Sequence, residues 1–201
     1  NTILGMYNTY YGIYIIVILA IYSSSTAATI ISKEEKNKTA EFLFTKPISR
    51  KGLFITKLVA LISLSLGAYI IQTTTAFAFI KALGNADVRW SAFITMHIHG
   101  LILTWFFTCI GLFLSMIINA KKNFMGIMVG IVFGSYFINT IAKATHTFNW
   151  LGFLSPFHYL EFAPTDPSYE LNYSSGGIMF CISLILIFIS YKKFENKDIS
   201  A

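Results

Sequence analysis

Five apolar runs, each long enough to form a membrane-crossing helix, constrain the fold of this chain more than any other feature. A transmembrane helix needs about 20 mostly apolar residues. The runs lie at residues 7–31, 53–80, 92–118, 124–143 and 174–191. Hydrophobic residues make up 55% of the chain and charged residues only 12%, a composition typical of integral membrane proteins. The sequence therefore predicts an all-α polytopic membrane protein in which residues 1–201 form a single transmembrane domain.

The uneven distribution of basic residues predicts how this bundle is oriented. Twelve of the fifteen Lys and Arg residues lie in the first loop, the third loop and the C-terminal tail, whereas the opposite side has only Lys81, Arg89 and Lys143. The positive-inside rule predicts that the side with these twelve basic residues is cytoplasmic. The net charge of +6 is then a consequence of topology. We therefore expect contact with anionic lipids and no binding of nucleic acid.

This orientation leaves Asn1 on the external side of the membrane. No initiator Met and no basic segment precede the first apolar run. We therefore expect one more span before Asn1, which gives the native protein six spans, with a cleaved or disordered leader as the alternative.

The first cytoplasmic loop has the pattern of a short surface helix. Ser32 followed by Glu35 is a capping-box pattern, which predicts that a helix begins here and covers about 33–45. Pro47 ends it. The apolar patch at 42–44 suits either a helix lying on the membrane surface or a helix that docks into a groove of a partner.

The segment EEKNKTAEFLFTKPISRKGLFITKLVAL resembles the region between the second and third membrane helices of type-2 ABC transporter permeases, compact bacterial peptide or drug exporters among them. The resemblance implies that this loop contains the coupling helix, which contacts an ABC ATPase subunit. The implied contact residues are Glu34, Glu35, Lys38, Thr39, Glu41, Phe42, Leu43 and Phe44.

The resemblance implies a non-catalytic permease that exports a peptide, toxin or drug. Hydroxyl and aromatic side chains in the spans suit an amphipathic or hydrophobic substrate, and the Ile-, Lys- and Asn-rich composition favours a bacterial plasma membrane. ATP and magnesium belong to the partner ATPase, since the chain has no G-x-x-x-x-G-K-[ST] motif for binding phosphates. The predicted spans contain no Asp or Glu of the kind that ion-coupled carriers use at depth. The energy for transport is therefore expected from outside the chain.

Polar residues within the spans are the candidates for a substrate path. They are Ser24, Thr26, Gln72, Thr74 and Asn139. The alternative is that these side chains pack helices together or bond to the carbonyls of their own helix.

Three glycines, Gly126, Gly130 and Gly134, recur every four residues along the fourth predicted span. Such a stripe allows two membrane helices to approach closely. The partner is either another helix of the chain or a second permease, and the resemblance implies a dimer of permeases.

The segment at 145–173 is aromatic, amphipathic and interrupted by prolines, so it is too broken to span. We expect short external helices at the membrane interface, acting either as a lid over an exit path or as an aromatic anchor.

A membrane-embedded metal-dependent enzyme is the alternative function, with His97, His99, His146 and His158 as its candidate residues. On a helix His97 and His99 differ by about 200° of rotation, so they are not expected to bind one ion. We therefore predict no metal site. Cys109 and Cys181 are expected to be free apolar thiols inside the spans.

Overall fold

The computed structural model describes residues 3–36, 49–83, 88–118 and 123–196, within which five helices are long and apolar enough to cross a membrane. The first consists of α1 (Ile3–Tyr10), a π-helical turn (Tyr11–Ile15) and α2 (Ile16–Lys36). The others, with the short helices between them, are α3 (Arg50–Leu83), α4 (Trp90–Ile117), α5 (Phe124–Ala144), a 3₁₀ helix (His146–Leu154), α6 (Pro156–Tyr159) and α7 (Tyr173–Glu195). The described residues contain no strand, and the predicted all-α polytopic fold is confirmed.

The helices are longer than the apolar runs because a helix continues into its charged flanks. This corrects the prediction that a helix begins at Ser32, since α2 runs without a break to Lys36. Amides in the last turn of a span already have carbonyl acceptors one turn earlier, so no capping side chain is required there. Glu34 and Glu35 belong to this last turn of α2. The remainder of the predicted coupling helix, at 37–45, lies outside the described residues.

The centre of the bundle is α4, which packs against α2 on one side and α7 on the other. Small side chains allow the first of these contacts to be close: Ser23, Ser24, Ala27 and Ala28 of α2 are fully buried. A Cβ at Gly111 of α4 would overlap the backbone carbonyl of Ser24. Membrane helices associate by such close packing because lipid offers no hydrophobic driving force.

Helix α3 packs loosely against the other helices, and its apolar side chains mostly face outward. Its exposed large residues include Ile55, Val59, Ile62, Leu64, Ile70, Ile71 and Phe79. In a bilayer such a face is covered by acyl chains, so exposure here marks the lipid side of the bundle.

The short helices between α5 and α7 fold back along α5 toward the bundle interior. The Ser155 hydroxyl caps α6 by accepting from the Phe157 amide, and it donates to the Ser135 carbonyl at 2.7 Å. Ser135 lies nine residues before the end of α5, roughly 13 Å along the axis. Phe157 is buried between the rings of Phe107 and Tyr136.

Candidate functional site

A chain of hydrogen bonds joins the first three long helices near their predicted external ends. The Tyr69 hydroxyl of α3 donates to the backbone carbonyl of His97 in α4, at 2.5 Å. Since its proton is used there, Tyr69 accepts from the Tyr11 hydroxyl of the π turn, also at 2.5 Å. Both tyrosines are buried, and this arrangement satisfies both hydroxyls without water.

The His97 ring extends this network. Its Nδ1 lies 2.8 Å from the Phe93 carbonyl, which only accepts, so Nδ1 carries the proton. Its Nε2 then accepts from the Tyr7 hydroxyl at 3.1 Å, and Tyr7 in turn accepts from the Gln72 amide at 2.8 Å. The Tyr7 ring also stacks on the His97 ring, with 9° between their planes. His97 is therefore a neutral ring held by helices α1, α3 and α4.

Gly100 makes room for the two tyrosine hydroxyls. A Cβ at this position would overlap the Tyr11 hydroxyl and lie 2.7 Å from the Tyr69 hydroxyl. The π turn that carries Tyr11 widens the first helix at the same level. Sequence analysis did not identify Tyr7, Tyr11 or Tyr69 as site residues.

A second histidine, His99, attaches the external segment, residues 145–173, to the bundle. The backbone amide of Asn172 donates to His99 Nε2 at 3.0 Å, so His99 Nδ1 carries the proton and faces the Glu161 carbonyl at 3.2 Å and the Tyr169 hydroxyl at 3.1 Å. The Tyr169 hydroxyl also donates to the Glu161 carbonyl. Burial raises the pKa of Tyr169, and the negative charge of Glu161 raises it further.

A polar cavity of about 330 Å³ lies between α1 and α5 under the external segment. Asn8 and Asn139 line it from opposite helices, and Asn139 is only 8% exposed. The Asn8 Nδ2 donates to the Phe162 carbonyl at 3.1 Å, which identifies the other amide atom as the oxygen. Neither amide oxygen has a hydrogen-bond partner among the described residues. Both oxygens have almost no accessible surface, so they contribute little to the polar wall of the cavity.

An ion pair lies at the edge of this cavity. Lys143 Nζ is 3.2 Å from Glu161 Oε1, and about half of each side chain is exposed. Thr9 and Thr140 complete the polar wall, while Tyr136, Phe157 and Phe162 supply aromatic surface. The cavity therefore combines amide, hydroxyl and aromatic groups, a lining suited to amphipathic molecules.

The five residues proposed for a substrate path occupy different environments. The hydroxyls of Ser24, Thr26 and Thr74 donate to carbonyls of their own helices, at 2.5, 2.8 and 2.8 Å. Gln72 belongs to the tyrosine–histidine network and also borders an apolar cavity of about 530 Å³ between α1 and α3. Asn139 lines the polar cavity. The structure thus brings Gln72 and Asn139 to cavities, whereas the three hydroxyls bond within their own helices.

Lys57 lies at the predicted cytoplasmic end, where the described part of the first loop joins the bundle. This residue is only 7% exposed, and its ammonium group donates to the Ile30 carbonyl at 2.5 Å, which links α3 to α2. Arg50 donates to the Glu195 carbonyl of α7 at 3.0 Å. The predicted coupling residues Lys38, Thr39 and 41–44 lie outside the described residues.

The glycine stripe of α5 faces away from the rest of the bundle. A Cβ at Gly130 or Gly134 would meet no atom within 4 Å in the described part of the chain, and one at Gly126 would meet only Asn123. The opposite face of α5 is the packed one, with Met128 and Val132 fully buried.

The histidines contact different parts of the molecule. His97 faces α1 and α3, His99 faces the external segment, and His158 makes edge-to-face contacts with Phe153 and Tyr159. Within 3–36, 49–83, 88–118 and 123–196, no group of three or more His, Cys, Asp or Glu side chains is arranged to hold a metal ion.

A family model described as "ABC-2 family transporter protein" matches residues 2–199, nearly the whole chain. Neither a curated protein nor a solved structure matches the chain significantly.

Proposed function

This chain belongs to the ABC-2 transporter family and is a membrane permease of an ABC transporter, and we propose that it exports an amphipathic or hydrophobic molecule. A peptide, toxin or drug is the proposed substrate, a bacterial plasma membrane the proposed location, and ATP hydrolysis in a separate subunit the proposed source of energy. The permease itself binds the substrate and changes its own conformation during transport.

The polar cavity between α1 and α5 is the observation that carries this proposal. Its polar wall, formed by Asn8, Thr9, Asn139 and Thr140, would bind a substrate's N–H or O–H groups, while its aromatic side chains cover apolar parts. Phe157 and Phe162 belong to the external segment and form one wall of the cavity. A movement of this segment would open the cavity toward the external side, in keeping with a lid.

The contacts at the predicted cytoplasmic end support a coupling role for the first loop. The loop continues directly from α2 and leads into α3, and Lys57 bonds these two helices together just above it. A displacement imposed on the loop by an ATPase subunit would therefore move α2 and α3 as one unit. In this proposal the eight residues from Glu34 to Phe44 named above form the ATPase contact.

The open glycine face of α5 supports pairing with a second permease, either an identical copy or a related chain. Gly130 and Gly134 have no neighbours within 4 Å of a Cβ position in the described residues. A stripe of glycines at four-residue spacing is suited to close packing against another membrane helix. Two permeases would then meet through α5, with one ATPase subunit beneath each.

Purification from the native membrane tests the proposed coupling. We expect an ATP-hydrolysing subunit to copurify in stoichiometric amount with the wild-type protein. The double variant Glu41→Ala/Phe42→Ala should copurify with at least about tenfold less ATPase subunit. The reason is that losing a buried aromatic anchor typically costs more than 1.4 kcal/mol of binding free energy. The control, Lys143→Ala at the opposite end, should retain the wild-type amount.

Two outcomes would contradict the proposal. One is undiminished copurification with a well-folded Glu41→Ala/Phe42→Ala variant, which would remove the coupling role from these residues. The other is a protein that purifies alone, binds zinc and loses an enzymatic activity on chelation, which would favour the enzyme alternative instead.

A further inference from the structure

One histidine ring joins two distant points of the external segment to α4. The His99 residue is only 2% exposed. Its Nε2 accepts from the Asn172 amide at 3.0 Å, and its Nδ1 lies 3.2 Å from the Glu161 carbonyl. Asn172 also caps α7, because its Oδ1 accepts from the Ser175 amide at 3.0 Å. The ring therefore lies at the junction of α4, the external segment and the start of α7.

The hydrogen bonds at this junction require a neutral ring. A backbone amide only donates, so Nε2 must be unprotonated to accept from Asn172. The single ring proton is then on Nδ1, where the Glu161 carbonyl is an acceptor. The Tyr169 hydroxyl donates to the same carbonyl at 2.9 Å, and its ring meets the imidazole edge-on. Both nitrogens of the neutral ring are thus satisfied.

Comparison with His97 shows why the partner of Nε2 matters. The Nε2 of His97 faces the Tyr7 hydroxyl at 3.1 Å, and a hydroxyl is able to donate or to accept. A proton added to His97 would therefore still find an acceptor. A proton added to Nε2 of His99 would face the N–H of Asn172, and two donors at 3.0 Å repel each other. The bond to Asn172 is compatible with the neutral ring only.

The charged groups around the junction are engaged elsewhere. The Glu161 carboxylate pairs with Lys143 of α5 at 3.2 Å, and Arg89 at the start of α4 donates to the Asp166 carbonyl. The first turn of α7 has no acidic residue. Other titratable groups on the neighbouring elements are Tyr11, Tyr69, His97, Tyr169 and Glu170. The contact of His99 with Glu161 is to the backbone carbonyl, so it supplies no countercharge for a protonated ring.

We infer that His99 is an acid-sensitive joint, in which protonation of the ring from the predicted external side releases Asn172 and the adjoining part of the external segment from α4. The Glu161 carbonyl stays bound, because Nδ1 keeps its proton. Since the ring is buried in the joined state, the proton enters during a brief local opening and then opposes reclosure. This joint is independent of export and of any ATPase, and its test uses neither transport nor hydrolysis.

The sign and size of the pH effect follow from linkage. In the released state the ring is exposed, and an exposed histidine has a pKa of about 6.5. The released state therefore binds more protons than the joined state. The joint is intact above this pH and weakens as the pH falls below it. Between pH of about 7.5 and about 5.5, the ratio of released to joined molecules should rise about tenfold.

Hydrogen exchange in lipid nanodiscs measures the joint at the Asn172 amide itself. Relative to the intrinsic exchange rate at each pH, we expect the protection of this amide to fall about tenfold between pH of about 7.5 and about 5.5. The Phe157 amide is the internal control, because it donates to the Ser155 hydroxyl, which does not titrate in this range. Its protection should stay constant. Unchanged protection of Asn172, or an equal loss at both amides, would overturn the inference.

Two variants assign the pH effect to one ring. His99→Gln has no titratable group at this position, so the protection of the Asn172 amide should be the same at both pH values, whatever its size. His158→Gln is the matched control, since the contacts of His158 with Phe153 and Tyr159 lie within the external segment. This control should keep the tenfold fall. A fall that persists in His99→Gln would mean that another group is responsible.

A distance measurement leaves His99 unchanged and shows which part of the segment moves. Phe79, Phe153 and Glu170 are exposed, so spin labels are tolerated there. In a background without Cys109 and Cys181, labels at Phe79→Cys and Glu170→Cys should show a second, longer distance at pH of about 5.5. Labels at Phe79→Cys and Phe153→Cys report the part before Glu161, and their distance should not change. Equal changes in both pairs, or none in either, would contradict an acid-sensitive joint at His99.

Discussion

Single atoms on Tyr11, Tyr69 and His97 determine how α1, α3 and α4 meet. Each of the three protons has one acceptor: the Tyr11 hydroxyl donates to Tyr69, the Tyr69 hydroxyl donates to the His97 carbonyl, and His97 Nδ1 donates to the Phe93 carbonyl. Buried polar networks of this kind rigidify a structure when every member is satisfied. The network therefore fixes the external half of the bundle more strictly than apolar packing alone does.

Replacement of Gly100 is the sharpest probe of this region. We expect Gly100→Ala to lower the free energy of unfolding by about 1–3 kcal/mol, the usual cost of overpacking, because the new methyl group overlaps the Tyr11 hydroxyl. Gly177→Ala is the matched control, since a Cβ there meets nothing within 4 Å. Thermal unfolding in detergent measures both. Equal stability of the two variants would show that the tyrosines do not approach Gly100 as described.

The external turn at Asp166 gives a prediction about pH. The hydroxyl and the amide of Ser168 donate to the Asp166 carboxylate and lower its pKa below the ordinary value of about 3.9, and the nearby Arg89 contributes less. Because the pKa is lower in the folded state, the ionised carboxylate stabilises the turn at any pH above the unfolded-state pKa. This stabilisation is lost as the pH falls through the folded-state pKa. We expect Ser168→Ala to raise the pKa of Asp166 toward 3.9 in an NMR titration of the carboxyl carbon. An unchanged value would mean that these hydrogen bonds are absent in solution.

Among the elements, α5 has the clearest division into two faces, and its open face gives the next prediction. In a background without Cys109 and Cys181, we expect Gly130→Cys to form a disulfide-linked dimer under mild oxidation in membranes. A Cβ at Gly130 meets no other atom of the described residues within 4 Å, so the substitution should be tolerated. Gly67→Cys on α3 is equally unhindered and serves as control. Equal cross-linking at both positions would indicate random collisions and not a dimer through α5.

The sequence predicts the elements better than their contacts. Runs of apolar residues identify each long helix to within a few residues, because helix geometry and membrane thickness both act locally along the chain. Periodicity does not reveal which faces meet. Tyr11 and Tyr69 are 58 residues apart, and nothing in either segment indicates that their hydroxyls touch.

Helix start signals were also ambiguous. The capping-box pattern at Ser32 is real as a pattern, yet α2 continues through it, because a preceding helical turn overrides a local start signal. A cue for the site did exist in the form of polar residues inside spans, and two of the five candidates, Gln72 and Asn139, line cavities. It gave no way to separate them from hydroxyls that bond within their own helix, such as Thr26.

For the whole molecule, orientation in the membrane is the property to test. We expect Asp166→Cys, in the cysteine-free background, to react with an impermeant maleimide in intact cells, because the positive-inside rule places this exposed turn outside. Lys193→Cys at the end of α7 should react only after the membrane is permeabilised. The reverse pattern would invert the topology and with it the side on which an ATPase is expected.

The length of α3 has a mechanical consequence for the whole molecule. Its 34 residues extend about 51 Å, whereas the hydrocarbon core is only about 30 Å thick. Lys57 joins this rod to α2 near one end, and Leu83 lies 26 residues further, roughly 39 Å away. A rigid rod of that length acts as a lever: a tilt of about 10° at Lys57 moves Leu83 by roughly 7 Å. A small displacement near Lys57, on one side of the membrane, is thereby amplified at Leu83, on the other side, into a displacement larger than the diameter of a water molecule.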